Sequence, residues 1–363
     1  MLGVEKHYFA CANSSKGFVN YFDSNLAGLT KIYILKGGPG SGKSSLMKHV
    51  GQHFLKLGYN IELIHCSSDP DSLDGVIVRD LKVGIVDGTK PHVIEPNAPG
   101  AIEEYVNLGI AWNIKQLAQF TEPILKLTKE ISECYPKAYE QFDKALMVHD
   151  EWEAIYIHNM NFVAANQLTE EAINEVFEQV KEGKQTTVFH RFFGGLTANG
   201  PKDYVMSLTE NMKQRYFLKG RPGSGKSTML KKILRKAESL HLEAEVYHCS
   251  FDPNSLDMIL LPQLSVCIFD STSPHEYEPC KESDRVIDLY QRAIRFGTDE
   301  ENEFRLASIK ERYKSVLNQG IRYLQKAQQL QDELETYYIK TTDYHIIDLI
   351  ADDLINRIYQ RIE

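Results

Sequence analysis

One eight-residue pattern, present twice, constrains this chain more than anything else in it. Gly37-Gly38-Pro39-Gly40-Ser41-Gly42-Lys43-Ser44 and Gly220-Arg221-Pro222-Gly223-Ser224-Gly225-Lys226-Ser227 both read G-x-x-x-x-G-K-[ST], the pattern of a phosphate-binding loop. Each copy follows an apolar strand-like run, Ile32-Tyr33-Ile34-Leu35 or Tyr216-Phe217-Leu218. Each opens a helix-like run, Ser44 to Leu57 or Ser227 to Leu240. Glycines let backbone N–H groups turn inward with no Cβ in the way. Those amides and the following helix N-terminus make an anion nest. Lys43 and Lys226 are expected to reach the β- and γ-phosphates, and Ser44 and Ser227 to set a hydroxyl on Mg²⁺. Ser45 and Thr228 complete the two phosphate-binding stretches. A glycine-rich turn that binds nothing is the plain alternative; two copies in matched context count against it.

The loops belong to a longer repeat. Gly220 lies 183 residues after Gly37 (220 − 37), and sliding the chain by that amount aligns much else. His7 falls on His190, Phe9 on Phe192, Gly17 on Gly200, Tyr21 on Tyr204 and Lys36 on Lys219. His65-Cys66-Ser67 falls on His248-Cys249-Ser250, and Ser72-Leu73-Asp74 on Ser255-Leu256-Asp257. With small gaps, Asp150-Glu151-Trp152-Glu153 matches Asp332-Glu333-Leu334-Glu335. The repeat predicts two similar units, 1–183 and 184–363, joined in the polar stretch Glu182-Gly183-Lys184-Gln185.

Each unit reads as a short strand (about Lys6 to Ala10, and Thr187 to Phe193), a helix, then strand, glycine loop and helix. A second buried strand follows (Ile61 to Cys66; Ala244 to Cys249), then a third (Val83 to Val86; Val266 to Phe269). Alternating strands and helices predict a parallel α/β sheet flanked by helices. Beyond the third strand the apolar spacing turns helical, through Ile131, Tyr135, Ala138, Phe142, Ala145, Trp152 and Ile155, or Ile309, Tyr313, Val316, Leu317, Leu324, Leu334 and Tyr338. This predicts a helical insertion over about 98–180 and a helical extension over about 281–363, with Pro136 kinking or restarting the first long helix. The apolar stripe reads as a helix–helix core in preference to a partner-binding groove.

The third strand of each unit ends in an acid, Asp87 or Asp270, the arrangement that completes a Mg²⁺ site beside the loop hydroxyl. The predicted metal-binding set is therefore Ser44 with Asp87 and Ser227 with Asp270. After each acid the chain reads D-x-T-x-P-H-x-x-E-P, through Thr89 and His92 or Thr272 and His275. These threonines and histidines are the candidate catalytic residues, to orient the γ-phosphate or a water or to act as general base. Equally, Thr caps a turn here and His bonds backbone. Asp69 and Asp74, with Asp252 and Asp257, read as loop residues after the second strand, in turn roles more than ligand roles. His65 and His248 lack a second ligand pair at metal spacing and read as packed histidines. The acid that polarises water in many motor-type ATPases is missing after Asp87 and Asp270, where Gly88 and Ser271 stand.

Bulk properties narrow the surroundings. A net charge of −9 offers no general pull on nucleic acid. Six scattered cysteines without a CxxC pair read as reduced thiols of a cytoplasmic protein. No apolar run is long enough to span a bilayer, and the first residues lack a signal-peptide core.

The two loops with their strand-end acids resemble the P-loop NTPase superfamily, including its nucleotide-kinase-like members. The whole tandem plan resembles a family of bacterial two-P-loop ATPases of unestablished role. The resemblance implies two repeated P-loop NTPase domains and binding of ATP with Mg²⁺. It leaves open a slow or regulated ATPase, a phosphotransferase acting on an unknown acceptor, and a nucleotide-dependent switch presenting helical arms to a protein partner.

Overall fold

The computed structural model describes residues 2–361 apart from 179 and 185; Gln185, in the stretch expected to join the units, lies outside them. The first half opens with β1 (Glu5–Phe9). A hairpin follows, Cys11–Ser14 against Gly17–Asn20, and then one helical turn, Phe22–Leu26, where a helix alone was expected. Ser14 Oγ closes the hairpin by donating to the Gly17 carbonyl (2.7 Å) and accepting from the Lys16 N–H (3.0 Å). β2 (Lys31–Lys36) leads into the first glycine loop and α1 (Lys43–Lys56). β3 (Ile61–His65), β4 (Leu73–Val78), β5 (Val83–Asp87) and β6 (Glu103–Asn107) complete a sheet in the order β1-β3-β4-β5-β2-β6. The sheet is parallel except at β4, which runs antiparallel to both neighbours. β4 begins where Asp69 and Asp74 read as loop residues. Its six residues are all buried, so the pull of the core overrides the turn signals around Asp74. β6 likewise falls inside the stretch expected to be helical.

Two helices end the first half, α2 (Thr121–His158) and α3 (Phe162–Val176). α2 is not restarted at Pro136. Burial of Cys134, Ala138, Phe142 and Ala145 on either side outweighs the roughly 3 kcal/mol an internal proline costs.

The second half repeats this plan. Its sheet is β7 (Val188–Arg191), β8 (Gln214–Lys219), β9 (Ala244–His248), β10 (Leu256–Leu261), β11 (Val266–Asp270) and β12 (Arg285–Asp288), in the order β12-β8-β11-β10-β9-β7. Here β10 is the antiparallel member. Even the register break is shared, between Ile64 and His65 and between Tyr247 and His248. Its longer helices are α4 (Lys226–Ser239), α5 (Glu303–Ile339) and α6 (Tyr344–Tyr359). No helix among the described residues is long and apolar enough to cross a membrane.

The sheets meet edge to edge at β1 and β7. Phe9 N–H donates to the Phe192 carbonyl and Phe192 N–H to the Phe9 carbonyl, both at 2.9 Å. Each of these residues is the repeat copy of the other, so the pair marks a local two-fold axis. Beside it lies the buried Arg191, whose guanidinium donates to Glu245 (3.0 Å), Glu62 (3.1 Å) and Asn25 (2.9 Å). Arg79 and the Tyr8 hydroxyl also hold Glu62, and Lys6 and the Tyr247 hydroxyl hold Glu245.

The helices cross between the halves. α2 and α5 pack antiparallel, with Phe120 on Tyr337, Phe142 at Gly320 and Trp152 on Tyr313. Beyond the crossing, α3 of the first half buries Leu168, Ala172 and Val176 in the second-half core with Leu230 and Ile233 of α4. In return α6 buries Ile347, Ala351, Leu354, Ile355 and Ile358 against Met47, Val50 and Phe54 of α1. Each half is therefore roofed by a helix of the other.

Two stability outcomes test this packing. A Cβ on Gly320 would sit 2.3 Å from the fully buried Phe142 ring. Gly320→Ala should therefore destabilise the protein by about 1–3 kcal/mol in urea unfolding, despite alanine's better helix propensity. Arg191→Met leaves Glu62 and Glu245 facing each other in the core and should cost about 3–5 kcal/mol in the same measurement.

Candidate functional site

Both glycine loops take the same shape. Gly40 and Gly42 stand at φ 64° and 84°, and Gly223 and Gly225 at 73° and 93°. That left-handed backbone is one glycine adopts without strain. It delivers the chain to the start of α1 at Lys43 and of α4 at Lys226, 14-residue helices whose first N–H groups face the loop. Lys43 Nζ donates to the carbonyls of Gly38 (2.9 Å) and Gly37 (3.3 Å) and lies 3.5 Å from Asp87 Oδ2. Lys226 Nζ donates to the Arg221 carbonyl (3.0 Å) and lies 3.5 Å from Asp270 Oδ2. Strand pairing of Leu35 with Asp87, and of Leu218 with Asp270, sets each acid beside the entry to its loop.

The helix-start serines are tied to the antiparallel strands. Ser44 Oγ accepts from the Leu73 N–H (3.0 Å) and Ser227 Oγ from the Leu256 N–H (2.9 Å). A hydroxyl oxygen and a carboxylate are the hard donors that Mg²⁺ takes, so Ser44 with Asp87, and Ser227 with Asp270, suit that ion chemically. Ser41 Oγ donates to the Gly38 carbonyl (2.7 Å), whereas the buried Ser224 Oγ has no partner among the described residues.

The threonines and histidines after the acids are brought to the site, and there they hold the loop. Asp87 Oδ1 accepts from both the N–H (2.8 Å) and the hydroxyl (2.6 Å) of Thr89; Asp270 does the same with Thr272 at 3.0 and 2.6 Å. His92 is buried, its Nδ1 donating to the Asp87 carbonyl (3.0 Å) and its Nε2 lying 3.2 Å from Asp74 Oδ2. Burial opposes a charge on His92. The Asp74 carboxylate, with Asp87 behind it, overcomes that and lifts its pKa to about 9. His275 pairs with Asp203 instead (2.7 Å), at a position where the first half has Asn20. Asp257, the counterpart of Asp74, is pushed up to about 6 by burial and by the charge of Asp270. Asp74 and Asp257 thus lie on strands inside the site.

Sequence reasoning missed a third component, the residues that arrive from the opposite half. At the first loop a Cβ on Gly38 would meet the Tyr338 ring at 2.6 Å, and one on Gly40 would lie 3.1 Å from the Glu335 carbonyl. The Tyr344 hydroxyl donates to the Gly40 carbonyl (2.6 Å). At the second loop a Cβ on Gly223 would sit 2.7 Å from the Glu153 carbonyl. Tyr156 donates to Asp299 (2.8 Å), which also binds Arg221 at 2.9 Å. Arg221 is thereby tied to Asp299, with its guanidinium 4.7 Å from the Tyr290 ring centre. The signal that could have found these residues was the match of Asp150–Glu153 with Asp332–Glu335. The loops lie towards opposite ends of the α2–α5 pair, about 40 Å apart along it by helix rise.

His65 and His248 are packed histidines. Each donates from Nδ1 to a proline carbonyl, Pro70 (2.6 Å) or Pro253 (2.8 Å), and accepts at Nε2 from Nδ1 of a second histidine, His7 or His190 (both 2.9 Å). Comparison of the chain with protein-family models, curated proteins and solved structures returns no match.

Burial lowers the pKa of both His65 and His248 to about 4, against the opposing pull of the proline carbonyls. A histidine depressed in the folded state gives stability that is complete above its unfolded pKa, near 6.5, and is lost as pH falls toward 4. At pH 5 the loss is on the order of 2 kcal/mol per histidine. Urea midpoints at pH 7 and pH 5 should show this drop, and the His65→Asn/His248→Asn double variant should show a smaller one.

Proposed function

We propose that the chain is a tandem P-loop NTPase that binds ATP with Mg²⁺ at both glycine loops and turns it over slowly or under regulation. The observation that carries this reading is the duplicated constellation of Lys43, Ser44 and Asp87 with Lys226, Ser227 and Asp270. In it a left-handed glycine loop, a helix N-terminus, a lysine and a strand-end acid converge twice with nearly equal distances. Fold-level likeness alone would not support a function.

The chemistry asked of these residues is simple. The loop amides and the helix end would receive the phosphates. Lys43 or Lys226 would exchange its carbonyl contacts for the β- and γ-phosphate oxygens. Mg²⁺, held by Ser44 with Asp87 or by Ser227 with Asp270, would neutralise charge developing between those phosphates. Thr89 and Thr272 would keep the strand-end carboxylates in one orientation, and His92 and His275 would brace the loops that carry them. These are positioning roles, in place of the general base the spacing allowed. The helical segments bury their apolar faces on each other and on both sheets, which gives less support to free arms awaiting a partner. A phosphotransferase would need an acceptor site, and no side-chain arrangement described above favours one.

Titration with a fluorescent ATP analogue and release of inorganic phosphate test the reading. Lys43→Ala and Lys226→Ala should each weaken Mg²⁺-dependent nucleotide affinity at one of two sites by about tenfold to a hundredfold, the value of a charge-assisted contact. Loss of affinity in neither variant would overturn it.

A further inference from the structure

We propose that each loop is served in trans by an acid from the other half. Glu335, carried by α5, orients the attacking water at the loop holding Lys43. Glu153, carried by α2, does the same at the loop holding Lys226. This rests on reading the loops as ATP sites.

The need for such an acid is written in the chain. Gly88 and Ser271 follow the strand-end aspartates, so neither half carries a second carboxylate there. The crossing helices bring one to each loop at matched repeat positions. A Cβ on Gly40 would lie 3.3 Å from Glu335 Cβ, and one on Gly223 would lie 3.0 Å from Glu153 Cβ. Both carboxylates feel the loop lysine, Lys43 or Lys226, and the acid after β3 or β9, Asp69 or Asp252. Beside Glu335 lies a cavity of about 70 Å³ lined by Ser68, Asp69, Tyr135, Gln331 and Asp332, polar and large enough to admit water. Gln331 Nε2 lies 3.4 Å from Glu335 Oε1 and fixes its orientation. In the other half His149 takes that place, 3.9 Å from Glu153. Burial raises the pKa of both glutamates from the ordinary carboxylate value, with Asp332 or Asp150 adding to it, a shift in the direction that improves a proton acceptor.

The step balances within the site. The water oxygen forms a bond to the γ-phosphorus, and the bond from that phosphorus to the β,γ-bridging oxygen breaks. The electron pair of that bond leaves on ADP. The water proton passes to the glutamate and from there to the released phosphate, which regenerates the carboxylate.

Because two sites would contribute turnover, each acid is tested with the other site silenced. On a Lys226→Ala background, at ATP concentrations that fill the first loop and leave the weakened second loop largely empty, Glu335→Gln should lower phosphate release by about a hundredfold or more and leave affinity for the fluorescent ATP analogue within about twofold. Glu153→Gln should do the same on a Lys43→Ala background. A merely structural role would move affinity along with turnover, and Glu335→Asp, which keeps the carboxylate, should recover part of the rate. Retained turnover in Glu335→Gln/Lys226→Ala overturns the assignment and leaves ATP binding standing. So does loss in the opposite pairing, Glu335→Gln on Lys43→Ala, which a role within one half would give. Absence of nucleotide binding in the unaltered protein overturns the ATP reading and the assignment together.

Discussion

The apolar faces of α1 and α4 have to be covered, and each is covered by a helix from the far half. Met47, Val50 and Phe54 meet Ile347, Ala351 and Leu354, while Leu230 and Ile233 meet Leu168 and Ala172. Both helices grow directly out of a glycine loop. The hydrophobic burial that completes each core therefore also fixes the ground on which the loop stands. Coverage by exchange makes the halves obligate to each other in a way that two adjacent domains on a linker would not be.

The seam shows how a repeated sequence solves a problem that strict symmetry would not allow. Glu62 and Glu245 are repeat copies that approach the local two-fold axis from opposite sides. Two arginines at the copied position would compete for one space and repel each other. The repeat is broken there instead: Arg191 bridges both acids, and its counterpart Tyr8 donates a hydroxyl to Glu62 and offers its ring 4.2 Å from the guanidinium. The Arg191 and Arg79 charges hold Glu62 ionised against the penalty of burial. Loss of identity at this position follows from its nearness to the axis.

The glycine loops, the strand-end acids and the doubled plan were legible in the residues, since each depends on local spacing. β4 and β10 were not. Asp69-Pro70 and the serines around it announce a turn, and the strand beyond forms because the sheet has a gap between β3 and β5 for it to fill. β6 and β12 were hidden at the edges of stretches whose later periodicity is helical. The hairpin after β1 precedes the expected helix, which is held to Phe22–Leu26, because Ser14 and Gly17 close a turn. Thr89 and His92 stood out by their spacing after Asp87, but spacing does not give their partners, which are Asp87 for Thr89 and Asp74 with the Asp87 carbonyl for His92. The helix exchange could not be read at all. A period of 3.6 tells that a helix has an apolar face and nothing about which sheet receives it, and so Glu153 and Glu335 stood out only as a late repeat match.

Tyr344 and Gly40, whose hydroxyl and carbonyl meet over the first loop, are 304 residues apart in the chain. At the ribosome's pace that separation corresponds to roughly 15–60 s. For that interval the first sheet and α1 exist without their roof, while the second half acquires α3 as soon as its own sheet emerges. Assembly during synthesis is thus asymmetric although the finished molecule is nearly two-fold. The half made first is completed after the second has formed its sheet, and the newborn chain carries an exposed apolar helix face until α6 arrives.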